Sequence, residues 1–162
     1  MGVYTFWRRT GPDAVQGLEP LELRALVPYS GERDRLEAES AARITVVAEG
    51  DNGRLIGSLL RAGARLTSED SARDVASDDY AAWLAVSGAE GLDGEEMIGV
   101  LAPDEVAKVA EFLSRAQPEE WMEQLEPDFA EAESVVSDTR ELMELYGLAA
   151  AAGEAVIVMV FA

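Results

Sequence analysis

The chain of 162 residues contains no cysteine and no histidine, and it has a single lysine, Lys108. Without cysteine, disulfides, zinc fingers and iron–sulfur clusters are excluded. Without histidine, the chain lacks the usual general base near neutral pH and the commonest transition-metal ligand. Catalysis by a Ser-His-Asp or Cys-His arrangement is therefore excluded. Any chemistry falls to carboxylates, arginine, tyrosine, hydroxyl groups or that lysine.

Long hydrophobic runs are also missing. The longest strongly apolar run, Ala155 to Ala162, is far shorter than the roughly 20 residues that a membrane-spanning helix needs. The N-terminus has no positively charged stretch followed by an apolar segment, so no signal peptide is predicted. We therefore expect a cytoplasmic protein that does not contact a membrane.

Acidic residues dominate the charge, with 32 Asp and Glu against 13 Lys and Arg and a net charge of −19. Residues 1–73 are nearly balanced, with 11 acids against 10 arginines, whereas residues 74–162 carry 21 acids against Lys108, Arg115 and Arg140. Such a half repels phosphate backbones, so nucleic-acid binding is not expected. The excess acidity has two interpretations, which are solubility and a surface for a basic partner.

Length and pattern predict one α+β domain that covers residues 1–162. Three segments are rich in β-branched residues and read as strands: Val3–Trp7, Arg43–Val47 and Ala155–Phe161. The last of these is continuously apolar, which is typical of a strand buried on both faces at the centre of a sheet. We expect a mixed sheet that contains both terminal strands, with helices packed on it.

Helix signals are clearest in the final third. Pro103 and Pro118 each stand at a first helical position with acids directly after them, and Gly153 is placed to end a last helix that begins near Asp138. Earlier in the chain, Gly63 is a predicted helix C-cap. The stretch from Ser68 to Asp79 is polar and has the poorest pattern.

The chain resembles a bacterial family of unknown function, the YfbM-like family. The resemblance lies in the segments Met1–Arg9, Leu101–Val106, Gln117–Glu120, Leu125–Asp128 and Gly153–Val156. It covers about 75 residues, chiefly in the C-terminal half. The middle departs from the family pattern, which usually includes a histidine. The resemblance implies an α+β fold and brings no activity with it.

Neighbouring carboxylates are the first candidates for chemistry. Asp78-Asp79 and Glu95-Glu96 are predicted in loops, and Glu119 and Glu123 stand one helical turn apart, where they could share Mg²⁺ or Ca²⁺. With 32 acids, such pairs arise by chance, and no spacing matches a calcium loop. We therefore predict no catalytic residue, no metal site and no cofactor. The glycines form no phosphate-binding loop.

Arginines and tryptophans are the other candidates. Arg8 and Arg9 follow the first strand and are expected to pair with the protein's own acids. Trp121 lies on an apolar helical face and is predicted to be in the core. Trp7 and Trp83 are open to a pocket or interface role, and Trp83 is the preferred interface residue.

Together these observations favour a non-enzymatic, acidic protein-interaction module that binds a basic protein partner. The predicted binding residues are Trp83, Glu119, Glu120 and Glu123. The alternative is a carboxylate-based hydrolase or a small-molecule-binding protein, which would need two or more buried acids in one pocket. The oligomeric state stays open.

Overall fold

The computed structural model describes residues 2–29, 31–71, 75–88, 97–125 and 129–161. Helices and strands follow in the order β1 Tyr4–Thr10, α1 Pro12–Val15, α2 Pro20–Leu26, α3 Arg33–Ala41, β2 Thr45–Glu49, α4 Asn52–Ser71, α5 Val75–Ser87, β3 Ile98–Leu101, α6 Pro103–Leu113, α7 Pro118–Glu123, α8 Phe129–Ala152 and β4 Ala155–Phe161.

The four strands form a sheet in the order β2-β1-β4-β3. Strands β1 and β4 pair along their whole length, from Tyr4 opposite Phe161 to Thr10 opposite Ala155. The prediction that the two terminal strands share one sheet is confirmed. Strand β4 is hydrogen-bonded on both sides, and residues Ala155–Met159 are buried. The predicted central position of this strand is confirmed too.

The expected mixed sheet is wrong in one respect, because every strand pair in the described part is antiparallel. An apolar run reports burial on both faces, but it does not report strand direction. Direction depends on the end of the sheet at which the connecting helices return the chain. The α+β class itself is confirmed.

The sheet separates two layers of helices. Trp7, Val46 and Val158 point to one face, where helices α4 to α8 pack and form the larger core. Phe6 and Met159 point to the other face, which α2 and α3 cover with a smaller cluster. Successive residues of a strand face opposite sides, so this division follows directly from the register. The described part includes no helix with the length and apolarity needed to cross a membrane.

A single backbone carbonyl joins three elements in the larger core. Trp7 Nε1 of β1 and Tyr146 Oη of α8 both donate hydrogen bonds to the Ala85 carbonyl of α5, at 2.7 and 2.8 Å. Both aromatic side chains are buried, and their polar atoms would be unsatisfied without this acceptor. Burial also raises the pKa of Tyr146 well above its ordinary value.

Most helix ends predicted in the last third are confirmed, but α8 begins at Phe129 and not near Asp138 as predicted, and one predicted helix end in the middle is also wrong. Pro103 and Pro118 occupy first-turn positions, and Gly153 follows α8 with a positive φ of 66°, as predicted. The predicted C-cap at Gly63 is wrong, because α4 continues to Ser71. A Cβ at Gly63 would collide with the Trp121 ring, so this glycine serves packing between α4 and α7.

Candidate functional site

The predicted glutamates lie on α7, beside α8. The Glu119 carboxylate accepts hydrogen bonds from Nε of Arg140, at 3.0 Å, and from Nη2 of the same guanidinium. These hydrogen bonds hold the pKa of Glu119 below its usual value. Glu120 and Glu123 are exposed and have no hydrogen bond or ion pair with a described residue. Glu119 is thus a link between two helices, and the other two are open to solvent.

Two further carboxylates without a described partner lie in the first turns of α8. Glu131 and Glu133 are exposed and make no hydrogen bond or ion pair with any described residue. The contact between Glu119 and Arg140 holds α7 against α8, which brings the carboxylates of the two helices to the same side of the sheet. We define the acidic surface as the four exposed, unpaired carboxylates of α7 and α8: Glu120, Glu123, Glu131 and Glu133.

Cations near the acidic surface are already engaged. Arg140 is bound to Glu119, and Arg115 contacts Asp78 and Glu111, each at 3.1 Å. Lys108 lies 6.0 Å from the centre of the Tyr80 ring on α5. Residues 103–125 and 129–152 carry 11 acids against these three cations. Arg43, which precedes β2, also contacts Glu141 and Glu144 at 3.8 and 2.9 Å, and the remaining acids still leave α6 to α8 strongly negative.

Trp83 lies on α5, apart from the predicted glutamates. Its side chain is 37% exposed and stacks on Tyr80, with ring centres 6.0 Å apart and planes 22° apart. It lines a pocket of about 530 Å³ between α4, α5 and the sheet, which none of the three glutamates lines. We define this as the Trp83 pocket. Trp7 is buried, and the predicted core position of Trp121 is confirmed.

A larger groove lies on the opposite face of the sheet, between α2 and α3. It encloses about 930 Å³, and its floor is formed by the strand residues Phe6, Val47 and Met159. Leu21 and Tyr29 at its edge are 68% and 61% exposed, although such side chains are usually buried. Here the short helices α2 and α3 leave apolar sheet surface open. We define this as the α2–α3 groove.

Charges of both signs surround the α2–α3 groove. The Arg24 guanidinium lies 4.9 Å from the centre of the Phe161 ring. Arg33 and Glu37 form an exposed ion pair at 3.1 Å, and Glu49 stands at the strand end. An apolar floor inside a charged edge suits a ligand that is mainly hydrophobic. The groove was not predicted from the sequence, although the apolar residues on alternate positions of β1 and β4 indicate a second packed face.

Buried acids do not gather in either cavity. Asp78 is the one acidic residue of the described part that is buried as a whole, and it pairs with Arg115 and with Thr67 Oγ1 at 3.1 Å. Oδ1 of the neighbouring Asp79 is buried as well. The prediction that Asp78-Asp79 lies in a loop is wrong, because both belong to α5. Glu95-Glu96 lies outside the described residues. Neither cavity is lined by Asp78, so the hydrolase alternative gains no geometric support from this part of the chain.

The carboxyl group of Asp138 on α8 has a raised pKa. Burial raises it, the neighbouring Glu141 and Glu49 raise it further, and a hydrogen bond from Asn52 Nδ2 at 2.9 Å opposes them. Glu119 and Glu123, which the sequence raised as a possible but not expected cation pair, are engaged differently, since Glu119 binds Arg140. The described residues also contain no group of three or more acids arranged to hold a metal ion.

Arg8 and Arg9 pair with acids of this chain, as predicted. Arg8 contacts Glu39 at 2.9 Å, and Arg9 contacts Glu154 at 2.7 Å. Burial raises the pKa of Glu39, but the hydrogen bonds from Arg8 and Thr45 outweigh it, so the net pKa is lowered. These two arginines fasten β1 to α3 and to the start of β4, and they are not available for an external anion.

Comparison with known proteins places the fold. A scan against protein-family models and a search of curated proteins found no match. A search of solved structures found the crystal structure of YfbM, a protein of unknown function from Escherichia coli. The match has a TM-score of 0.56 and 11% sequence identity, and it covers 98% of this chain and 99% of that chain. The fold is similar to that of YfbM.

The likeness to YfbM extends along the whole chain, whereas the sequence resemblance was strongest at the start and in the C-terminal half. At 11% identity the match supports a structural relationship and does not place the chain in the sequence family. YfbM is itself a protein of unknown function, so the comparison transfers the fold and no ligand, partner or reaction.

Proposed function

We propose that this protein is a non-enzymatic interaction module whose acidic surface binds a basic protein partner. The observation that carries the proposal is the set of four exposed carboxylates on α7 and α8 that have no cation within the described residues. A basic segment of a partner would supply the missing counter-charges. Arginine is well suited to this role because its planar guanidinium contacts a carboxylate through two parallel hydrogen bonds.

The charge exceeds what solubility needs. A small domain stays soluble with a net charge of about 2–8 in magnitude, whereas this chain carries −19. Like charges at this density destabilise the compact state through mutual repulsion. A partner that neutralises them would recover that free energy, and long-range attraction would guide the partner to this side of the sheet.

Comparative capture tests the proposal. Wild-type protein and the variant Glu120→Gln/Glu123→Gln are used as baits in the same native lysate, and the enriched proteins are identified. A matched control, Asp13→Asn/Asp34→Asn, neutralises two exposed acids in α1 and α3, in the helices on the opposite face of the sheet. We expect a basic protein that the wild type and the control retain and the α7 variant loses. Equal retention by all three baits contradicts the proposal.

The cytoplasm is the compartment in which we propose that this interaction occurs. The reason is the absence of cysteine from the sequence, which is typical of proteins that do not rely on disulfides. The lysate for the capture experiment is accordingly a cytoplasmic fraction. Tagged protein found outside that fraction in cells would overturn this part of the proposal.

A second candidate function is binding of a hydrophobic small molecule in the α2–α3 groove. Its support is the volume of about 930 Å³ over an apolar floor, which lies within the range of ligand sites. A neutral environment-sensitive dye such as Nile red reports on such surfaces. We expect Tyr29→Glu, which places a charge at the groove edge, to reduce dye fluorescence, and Leu148→Glu, at an exposed leucine of α8 outside both cavities, to leave it unchanged. The reverse pattern would exclude the groove.

A further inference from the structure

The Trp83 pocket combines features that the acidic character of the chain does not predict. Two arginines of α4, Arg54 and Arg61, line it together with the exposed side chains of Trp83 and Met97. The two arginines are seven positions apart, which is about two helical turns. Both therefore project from the same side of α4, about 10 Å apart along its axis. The pocket therefore joins two cations to an aromatic, apolar wall.

These cations are weakly compensated, unlike most arginines in the described part. Arg8, Arg9 and Arg43 each contact a carboxylate at 2.9 Å or less. Arg140 donates two hydrogen bonds to the carboxylate of Glu119. Arg61 has no hydrogen bond or ion pair with a described residue.

Arg54 reaches one carboxylate, that of Asp51, at 3.7 Å, and both side chains are largely exposed. An exposed pair at such a distance contributes little. Asp51 also lines the pocket and is the one acid among the described residues that does so. In a chain with 32 acids, a pocket that keeps two arginines available is an exception that calls for an anion from outside.

The wall of the pocket indicates what else the anion carries. Trp83 is the one exposed tryptophan of the three in the chain, and it is held in place by stacking on Tyr80. Val3 and Met97 beside it are exposed as well. A flat apolar group packs well on such a surface, because an aromatic ring gains from stacking in addition to the burial of area.

We propose that the Trp83 pocket binds a small aromatic monoanion, with its carboxylate or sulfonate at Arg61 and Arg54 and its ring against Trp83. The net charge of −19 excludes polyanions such as nucleic acid by repulsion at long range. A single charge is affected much less, because salt screens distant carboxylates beyond about 8 Å at physiological ionic strength. This site is separate from the acidic surface and does not depend on the proposed partner.

The test follows the indole N–H signals of the ¹⁵N-labelled protein by NMR during titration with unlabelled indole-3-acetate. We expect the Trp83 signal to shift and saturate, while the signals of the buried Trp7 and Trp121 stay in place. Tryptamine, which carries the same ring with a positive charge, should produce no saturating shift. A response to tryptamine equal to that for the anion, or no saturation with either at millimolar concentration, would overturn the proposal.

Paired arginine variants locate the anion. Arg61→Gln should weaken binding of indole-3-acetate about tenfold, as expected for the loss of a charged hydrogen-bond donor. Arg65→Gln is the matched control, because Arg65 is also exposed and unpaired on α4 but does not line the pocket. Asp51→Asn, which removes the competing carboxylate, should tighten binding. Equal weakening by the two arginine variants would show that the effect is general electrostatics and would refute the site.

Discussion

At the scale of single residues, the space around a glycine decides whether it can be replaced. The Trp121 ring occupies the place where a Cβ of Gly63 would stand, in the interior of α4. At Gly147, in the interior of α8, nothing lies within 4 Å of a built Cβ. Both positions are helical, so alanine is favoured at each by local propensity, and only packing distinguishes them.

Gly63→Ala should therefore lower the free energy of unfolding by about 1–3 kcal/mol through overpacking, despite the better helix propensity of alanine. Gly147→Ala should raise it by about 0.5–1 kcal/mol. Urea unfolding of both variants measures the two changes. A Gly63→Ala protein as stable as the Gly147→Ala protein would show that Trp121 does not pack against α4 as described.

Asp138 gives a prediction on pH. Its folded pKa is raised by burial and by the nearby acids. The charged carboxylate therefore destabilises the folded state at neutral pH. This penalty is absent below the unfolded pKa of about 3.9 and develops as the pH rises through the folded pKa. Asp138→Asn, which can still accept the hydrogen bond from Asn52, should be more stable than the wild type at pH 7.

The stability difference should shrink as the pH falls through the folded pKa and vanish below about 4, where the wild-type carboxyl group becomes neutral in both states. Chemical unfolding at a series of pH values measures it. Glu133→Gln is the control for general loss of charge, since Glu133 is exposed and unpaired on the same helix. A destabilised Asp138→Asn at pH 7 would mean that the carboxylate is a net stabilising partner of Asn52.

The role of a residue could be predicted from the sequence where it depends on local spacing or composition, and could not where it depends on a contact from a distant element. The core position of Trp121 and the ion pairs of Arg8 and Arg9 followed from helical spacing and from an excess of acids. The role of Gly63 could not be predicted, because it depends on a ring that approaches from another helix. The pocket role of Arg54 and Arg61 had a signal in their two-turn spacing, but only the fold shows that Trp83 lies nearby.

At the scale of secondary structure, local signals located helix starts better than helix lengths. The prolines at positions 103 and 118 marked the starts of α6 and α7, and Gly153 marked the end of α8. The predicted start of α8 near Asp138 is late, since the helix begins at Phe129. No helix was predicted for the poorly patterned stretch from Ser68 to Asp79 either, although α4 extends to Ser71 and α5 begins at Val75. Tertiary packing of their apolar residues stabilises these turns beyond what propensity predicts.

Strand position leads to a prediction on local stability. The amides of β4 lie between two neighbouring strands, whereas β2 is an edge strand with one. Amide hydrogen exchange should therefore require global unfolding for residues Val156–Val158, while outward-facing amides of Thr45–Glu49 exchange through smaller openings. NMR exchange at low denaturant separates the two classes. Faster exchange in β4 than in β2 would contradict the strand order.

At the scale of the whole molecule, net charge and not a bound metal is expected to govern the response to ions. Raising NaCl from 0.1 M to 1 M shortens the screening length from about 10 Å to about 3 Å. A gain of about 1 kcal/mol from weakened repulsion would raise the unfolding midpoint by about 2–4 °C for a chain of this size. MgCl₂ at matched ionic strength should act like NaCl, and a chelator should change nothing. A much larger effect of MgCl₂ would indicate a specific cation site.

The division of charge between the two helical layers explains why a single surface is singled out. The acidic surface of α7 and α8 and the α2–α3 groove lie on opposite faces of the sheet. The proposed basic partner would be attracted to the layer that contains α6 to α8, where most acids lack a cation among the described residues. Reversing the charge of two carboxylates in that layer should therefore slow the association of the partner, whereas the same reversal in the other layer should leave the association rate nearly unchanged.

The most direct test of the acidic surface is the association rate constant of the captured basic partner, measured at several salt concentrations. Glu120→Lys/Glu123→Lys should slow association about tenfold at low salt and flatten its salt dependence, because electrostatic steering acts mainly on the association rate. Asp13→Lys/Asp34→Lys, the same change on the other face of the sheet, should leave the rate close to that of the wild type. Equal slowing by both variants, or a wild-type rate that does not fall with added salt, would contradict the acidic surface as the binding site.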